Sequence, residues 1–261
     1  MPIEIESADD PRVADYQGLR TREDSTEFFI AESELVVSRL VTSKFKVRSF
    51  LLSPSRYERM RSVVDPVDAP VYVASRAVMQ QIVGFDVHRG ALASARRRPS
   101  PTLPDVMAGA HRLLLLEGSN DAENIGAVAR SARALGFDAL VLDPTCADPY
   151  SRRAVRVSMG EILHLPVVRC LRWPGPITFL NDAGFETWAL SPSAAANSLF
   201  AMGMPERVAL IAGAEGSGLT EAARRLTQYD VHIPMHHGVD SLNLGHALAI
   251  AMAAVSPPVV G

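Results

Sequence analysis

The stretch "IPMHHGVDSLNLGHALAIAMAAV", residues 233–255, holds His236, His237 and His246, three of the chain's seven histidines. Imidazoles bind metals, move protons or simply pack, and spacing separates these uses. Zinc ligands on a helix favour i, i+4 pairs, or come as cysteine pairs. His236 and His237 are adjacent, so their side chains diverge in any regular element, and no metal site is expected. His246 falls in the first turns of an apolar helix and reads as a packed or interface histidine. Cys146 and Cys170, the only cysteines, have no ligand or redox spacing and suit a reduced compartment.

Other chemistries fail on spacing. Residues 213–218 read GAEGSG, which is not the G-x-G-x-x-G of a dinucleotide fold and lies late in the chain. A phosphate-cradling P-loop ends in lysine, and the only lysines are Lys44 and Lys46. No G-x-S-x-G turn is present, so Ser217 is not a nucleophile on an elbow. The positive charge is otherwise arginine, clustered at Arg96, Arg97 and Arg98 and at Arg152, Arg153 and Arg156. Guanidinium forks suit phosphate, but such clusters also serve as plain solvated surface.

The chain has 261 residues, 48% hydrophobic and 21% charged, enough for one large or two smaller domains. Its net charge of −3 gives no global case for nucleic acid, so any such surface must be local. The N-terminus, "MPIEIESADDPRVADYQGL", is acidic and lacks the apolar core of a signal peptide. No window approaches the ~18 apolar residues of a membrane helix. The tail "LGHALAIAMAAVSPPVVG" is broken by His246 and by Pro257-Pro258. A cytoplasmic protein is expected, with neither membrane nor metal partner.

Two blocks of elements must position the polar residues. In the first hundred residues, "EFFIAES", "VRSFLLS" and "PVYVAS" read as strands. "SELVVSRLVTS" reads as a helix capped by Ser33, "SRAVMQQIVG" as a helix closing on Gly84, and "GALASARR" as an edge strand. "RRRPSPTLPDVMAGAH" marks a linker near 97–108. Beyond it strands and helices alternate strictly, from the doubly buried "RLLLLEG" to "SLNLGHALAIAMAAV", which indicates a parallel α/β sheet. Ligands bind beyond the carboxyl ends of such strands. Three ends are rich in glycine and small polar residues, "EGSNDAENIG", "AGAEGSGLT" and "IPMHHGVDSLN", and they can converge.

"ENIGAVARSARALGF", "LIAGAEGSGLT" and "IPMHHGVDSLNLGHALAIAM" together resemble the SpoU/TrmH branch of the SPOUT RNA methyltransferases. They are similar to the patterns N-x-G-x-x-x-R-x-A-x-x-x-G, G-x-E-x-x-G-L and I-P-M…S-L-N-x-x-x-A. "DPYSRRAVRVSMGEILHLPV" is similar to the family's arginine-rich helix and S-M-G. The resemblance spans roughly residues 111–256. With weaker motifs, including "EFFIAES" and "HRGALASARR", the first hundred residues resemble a ribosomal-protein-like substrate-binding domain. The implied fold is α/β, a mostly parallel sheet with a C-terminal trefoil knot. Residues 1–98 would form an RNA-binding α/β domain, 99–110 a linker and 111–261 the methyltransferase domain. The implied assembly is a homodimer with its active site at the interface.

The implied reaction moves a methyl group from S-adenosylmethionine to a ribose 2′-hydroxyl of RNA, with ribosomal RNA favoured over transfer RNA. The resemblance assigns activation of that hydroxyl to Arg130. A guanidinium with a pKa above ~12 is a poor base, so holding an RNA phosphate and stabilising the alkoxide suits it better. Asn124 would orient substrate, or cap its helix, or both. Glu215 would shape the pocket, with Gly213, Gly216 and Gly218 letting the backbone bend close to a ligand. Ser241 and Asn243 would contact cofactor and substrate, Ser241 also being a good N-cap. Gly213, Ile233, Leu242 and Gly218 would bind the cofactor. Departures from the pattern are Ala122 for proline, His237 for glycine with Gly238 one residue later, and Gly245-His246 in the last helix. The alternative is a non-catalytic RNA-binding or assembly protein on the same fold.

Overall fold

The computed structural model describes residues 2–21, 24–86, 90–193, 195–237 and 239–257. His88, Arg89, Gly238 and Pro258, named above, lie outside them. In chain order the elements are β1 Ile3–Ile5, β2 Phe28–Glu32, α1 Glu34–Val41, β3 Val47–Leu52, α2 Pro54–Val64, β4 Val71–Ala74, α3 Arg76–Val83, β5 Ala91–Arg96 and α4 Leu103–Met107. There follow β6 Arg112–Leu116, α5 Ala122–Ala134, β7 Ala139–Leu142, α6 Arg152–Val157, β8 Val167–Arg169, α7 Gly175–Asp182 and β9 Glu186–Leu190. The last are β10 Asn197–Ser198, β11 Val208–Ala212, α8 Glu221–Leu226, β12 Tyr229–His232 and α9 Leu244–Ala254. The chain forms two compact units, one of residues 1–99 with 150–164, the other of 100–149 with 165–261.

The first unit is a mixed sheet in the order β1-β4-β3-β5-β2. β1, β4 and β3 run parallel, while β5 is antiparallel to both β3 and β2. β5 therefore lies inside the sheet, not at its edge as its composition suggests. Its alanines and Ser94 are buried, and their small size lets α1 pack close on the strand. Ser33 caps α1 through the Val36 amide, and α3 ends on left-handed Gly84 at φ 81°. Residues 150–164 pack into this unit. Tyr150 stacks on Phe29 at 5.7 Å, and the Arg39 guanidinium donates to the Met159 carbonyl at 2.6 Å.

The second unit carries a sheet in the order β10-β12-β9-β11-β6-β7-β8, every pairing of it parallel. Leu113–Leu116 of β6 are fully buried because both faces are covered. Each such side chain contributes roughly 1.5–3 kcal/mol of hydrophobic stabilisation. Leu113 and Leu115 point into the layer of α7 and α8, with Ile177, Leu180 and Ala223. By strand alternation Leu114 and Leu116 face the other side. On that side α5 packs against α9, β7 and α9 against β11. The expected linker is not wholly irregular, since Thr102 and Asp105 form a reciprocal capping box that starts α4. Among the described residues, no helix is long and apolar enough to cross a membrane.

Candidate functional site

Two of the three polar strand ends, those of β11 and β12, line one cavity, and the β6 end is joined to them through Asn124, which is not itself in the lining. Beyond the carboxyl ends of β9, β11 and β12 lies a cavity of about 460 Å³. Its lining includes Gly213, Gly218, Ile233 and Leu242, the residues expected to bind cofactor, together with Glu215, Ser241 and Asn243. Leu190 at the end of β9, with Ser191 and Pro192 after it, completes one wall, and no sequence motif singles them out.

The loop after β11 is folded on itself. The Gly218 amide donates to the Ala214 carbonyl at 2.9 Å, with left-handed backbone at Gly216 (φ 90°) and Gly218 (φ 67°). A Cβ built on Gly213 would sit 2.0 Å from the Gly218 carbonyl carbon. A backbone contact that close admits only glycine.

Asn243 joins the loops. Its Nδ2 donates to Glu215 Oε1 at 2.8 Å and to Asn124 Oδ1 at 3.3 Å. Glu215 Oε1 also accepts the Leu244 amide at 3.0 Å, a negative charge on the first turn of α9 where the helix dipole favours it. Asn243 Oδ1 accepts the Gly245 and His246 amides, so Asn243, not Ser241, caps α9. Asp121 likewise caps α5 through the Glu123 amide, which leaves Asn124 inside the first turn with its side chain free for Asn243.

Arg130 is exposed on α5 and is not among the residues lining the cavity. Ser241 is exposed and belongs to the cavity's lining. His236, His237 and His246 are all exposed, so His246 is not packed within the chain. Among the described residues, no group of His, Cys, Asp and Glu side chains is arranged to hold a metal. His237 adopts φ 58°, the left-handed conformation that glycine favours. Gly245 is buried against α5, where a Cβ would come within 3.6 Å of Ala127 and 3.2 Å of Asn243 Oδ1.

Two carboxylates that the motifs did not flag brace the site. Glu117, buried at the end of β6, accepts from Trp173 Nε1 at 2.6 Å, the Thr220 amide at 2.8 Å and the Thr220 hydroxyl at 2.7 Å. It thereby anchors the far end of the 213–220 loop. Asp143, buried after β7, accepts from the amides of Gly118, Thr145 and Cys146. Burial alone would raise its pKa, but hydrogen bonds from Cys146, Thr145 and Gly118 outweigh that and hold it below the ordinary value. The only signal in the sequence is an acid directly after a buried strand.

Residues 111–253 match the SpoU rRNA Methylase family. An uncharacterized tRNA/rRNA methyltransferase of Mycobacterium bovis is 42% identical over 93% of this chain and 88% of its own length. A 23S rRNA (guanosine(2553)-2′-O)-methyltransferase of Bacillus subtilis is 28% identical over 95% of this chain and 96% of its own. The AdoMet-bound rRNA methyltransferase from Sinorhizobium meliloti superposes with a TM-score of 0.84, at 23% identity, over 97% of each chain. The SpoU methyltransferase AviRb from Streptomyces viridochromogenes gives 0.81 at 22% identity, over 94% of this chain and 97% of its own. At these identities the two structures speak for the fold.

Proposed function

The chain belongs to the SpoU rRNA methylase family, and from that premise we propose how its residues serve the family's reaction. It transfers a methyl group from S-adenosylmethionine to a ribose 2′-hydroxyl of RNA, with ribosomal RNA as the substrate class. The observation that carries this reading is the junction of Glu215, Asn243 and Asn124 at a cavity floored by Gly213 and Ile233.

The cavity suits the cofactor. Its size falls within the range of small-molecule sites. Ile233, Leu242 and Leu190 offer an apolar bed for an adenine ring, and the bent 213–218 backbone offers polar groups close to it. S-adenosylmethionine supplies a methyl group activated on a sulfonium. Glu215 and Asn243 hold the loops that form the pocket, Ser241 and Leu242 contact its occupant, and Asn124 orients the incoming ribose. Arg130 binds the RNA phosphate and stabilises the developing alkoxide, an electrostatic task that needs no deprotonated guanidinium.

Arg130 is exposed and outside the cavity's lining, which supports a homodimer whose active site is shared between protomers. Residues 111–261, apart from the 150–164 segment that packs into the first unit, act as the methyltransferase domain with a C-terminal trefoil knot, and residues 1–98 act as the RNA-binding domain; the linker segment 99–110 packs with the methyltransferase unit from residue 100 onward. The protein works in the cytoplasm. Calorimetric titration of S-adenosylmethionine into the purified protein tests the pocket. Saturable binding is expected, and no binding would remove the basis of the reading.

A further inference from the structure

We propose a second anion site in the first unit, a basic cavity that holds the phosphodiester backbone of the RNA substrate. It rests on the reading of RNA as the substrate and says where in the first unit the strand is gripped.

The antiparallel pairing of β3 with β5 sets Val47 opposite Ala95, and the Arg96 amide donates to the Lys46 carbonyl at 2.9 Å. This register brings the chain's only lysines, Lys44 and Lys46, to the sheet end that also carries the Arg96-Arg97-Arg98 run. Arg98 Nη1 donates to the Lys44 carbonyl at 3.2 Å. A cavity of about 520 Å³ opens there, with Arg12, Lys46, Arg48 and Arg96 in its walls against Asp15 and Asp68. The basic excess is local, in a chain whose net charge is −3.

Part of the wall is built in advance. Asp15 grips Arg48 through Nε at 2.8 Å and Nη2 at 3.3 Å, and accepts the Ser94 hydroxyl at 2.6 Å. Behind it the buried Tyr16 hydroxyl donates to the Ser49 carbonyl at 2.8 Å and accepts the Ser94 amide at 3.1 Å. Arg48 also lies 5.1 Å over the Phe28 ring, and Arg12 is held by Asp10. Side chains fixed before binding lose little entropy on it. Lys46 and Arg96, by contrast, are exposed and make no ion pair among the described residues. Two uncommitted cations beside a rigid wall of ion-paired arginines are what an incoming anion requires. The positive row continues to Lys44 and Arg98, which suits a linear polyanion better than a single free phosphate.

The test compares the Lys46→Ala/Arg96→Ala protein with an Arg61→Ala/Arg225→Ala control that loses the same charge at other exposed positions. Filter retention of in-vitro-transcribed 23S rRNA is measured across a potassium chloride series. S-adenosylmethionine affinity and methyl transfer are followed in parallel. We expect the double variant alone to flatten the slope of log K against log salt by about 1.4, about 0.7 for each lost phosphate contact. KM for RNA should rise about tenfold, with kcat at saturating RNA and cofactor affinity unchanged. A slope and KM equal to those of the control would overturn the proposal. If the unaltered protein transfers no methyl group, the methyltransferase reading fails, while the slopes still decide for or against this site.

Discussion

Asn243 donates to Glu215 at 2.8 Å across a separation of 28 residues, and the same side chain caps α9. One amide therefore sets the start of the last helix and the position of the loop after β11. Helix capping and loop clamping use different atoms of it, Oδ1 for the first and Nδ2 for the second, so they can be separated by substitution.

Asn243→Ser keeps a capping oxygen but cannot reach Glu215 and Asn124. It should unfold within about 0.5 kcal/mol of the unaltered protein, whereas Asn243→Ala should lose about 1 kcal/mol. Both should bind S-adenosylmethionine more weakly. Thermal denaturation beside calorimetry reads the split, and normal cofactor affinity in the serine variant would sink the clamp.

Gly213→Ala forces a methyl group into the backbone at Gly218. No rotamer relieves that contact, so the loop must move. A loss of about 1–3 kcal/mol in chemical denaturation is expected, with cofactor binding abolished. An alanine variant of full stability and affinity would show that the close approach is not required.

His237 occupies a left-handed backbone conformation at φ 58°. His237→Gly should leave stability unchanged or raise it by up to about 1 kcal/mol, and His237→Val should lower it by about 1–2 kcal/mol. The order of the melting temperatures checks this, and a valine variant as stable as glycine would contradict it.

Asp143 has a folded-state pKa below its unfolded value of ~3.9. The folded protein binds fewer protons in that range, so the carboxylate's contribution is complete above the unfolded pKa. It is lost as pH falls through the folded one. Asp143→Asn should therefore be less stable at neutral pH and show a shallower decline between pH ~5 and the acid limit. Denaturation midpoints across that window test it, and parallel acid limbs would rule it out.

What could be read from the chain followed local physics. The buried run of β6, the Ser33 cap and the Gly84 stop depend on neighbours in sequence, and all stand where expected. The helix starts are less local, because Asp121 and Asn124, or Ser241 and Asn243, are equally good capping types and only tertiary contacts choose between them. β5 reads as an edge because small residues resemble surface, but its place is set by backbone pairing with β2 and β3, distant in sequence. The bond from Asn243 to Asn124 spans 119 residues, and no periodicity encodes it. The motifs indicated that the loops meet, but not that Glu117 and Asp143 hold them there.

Methyl transfer to a ribose 2′-hydroxyl can be measured directly. The direct measurement is incubation of in-vitro-transcribed 23S rRNA with the protein and S-adenosylmethionine, then nuclease digestion and mass spectrometry of the nucleosides. A 2′-O-methylated nucleoside is expected, and it should disappear with Arg130→Ala while that variant still binds cofactor. A methyl group on a base, or transfer undiminished by Arg130→Ala, would contradict it.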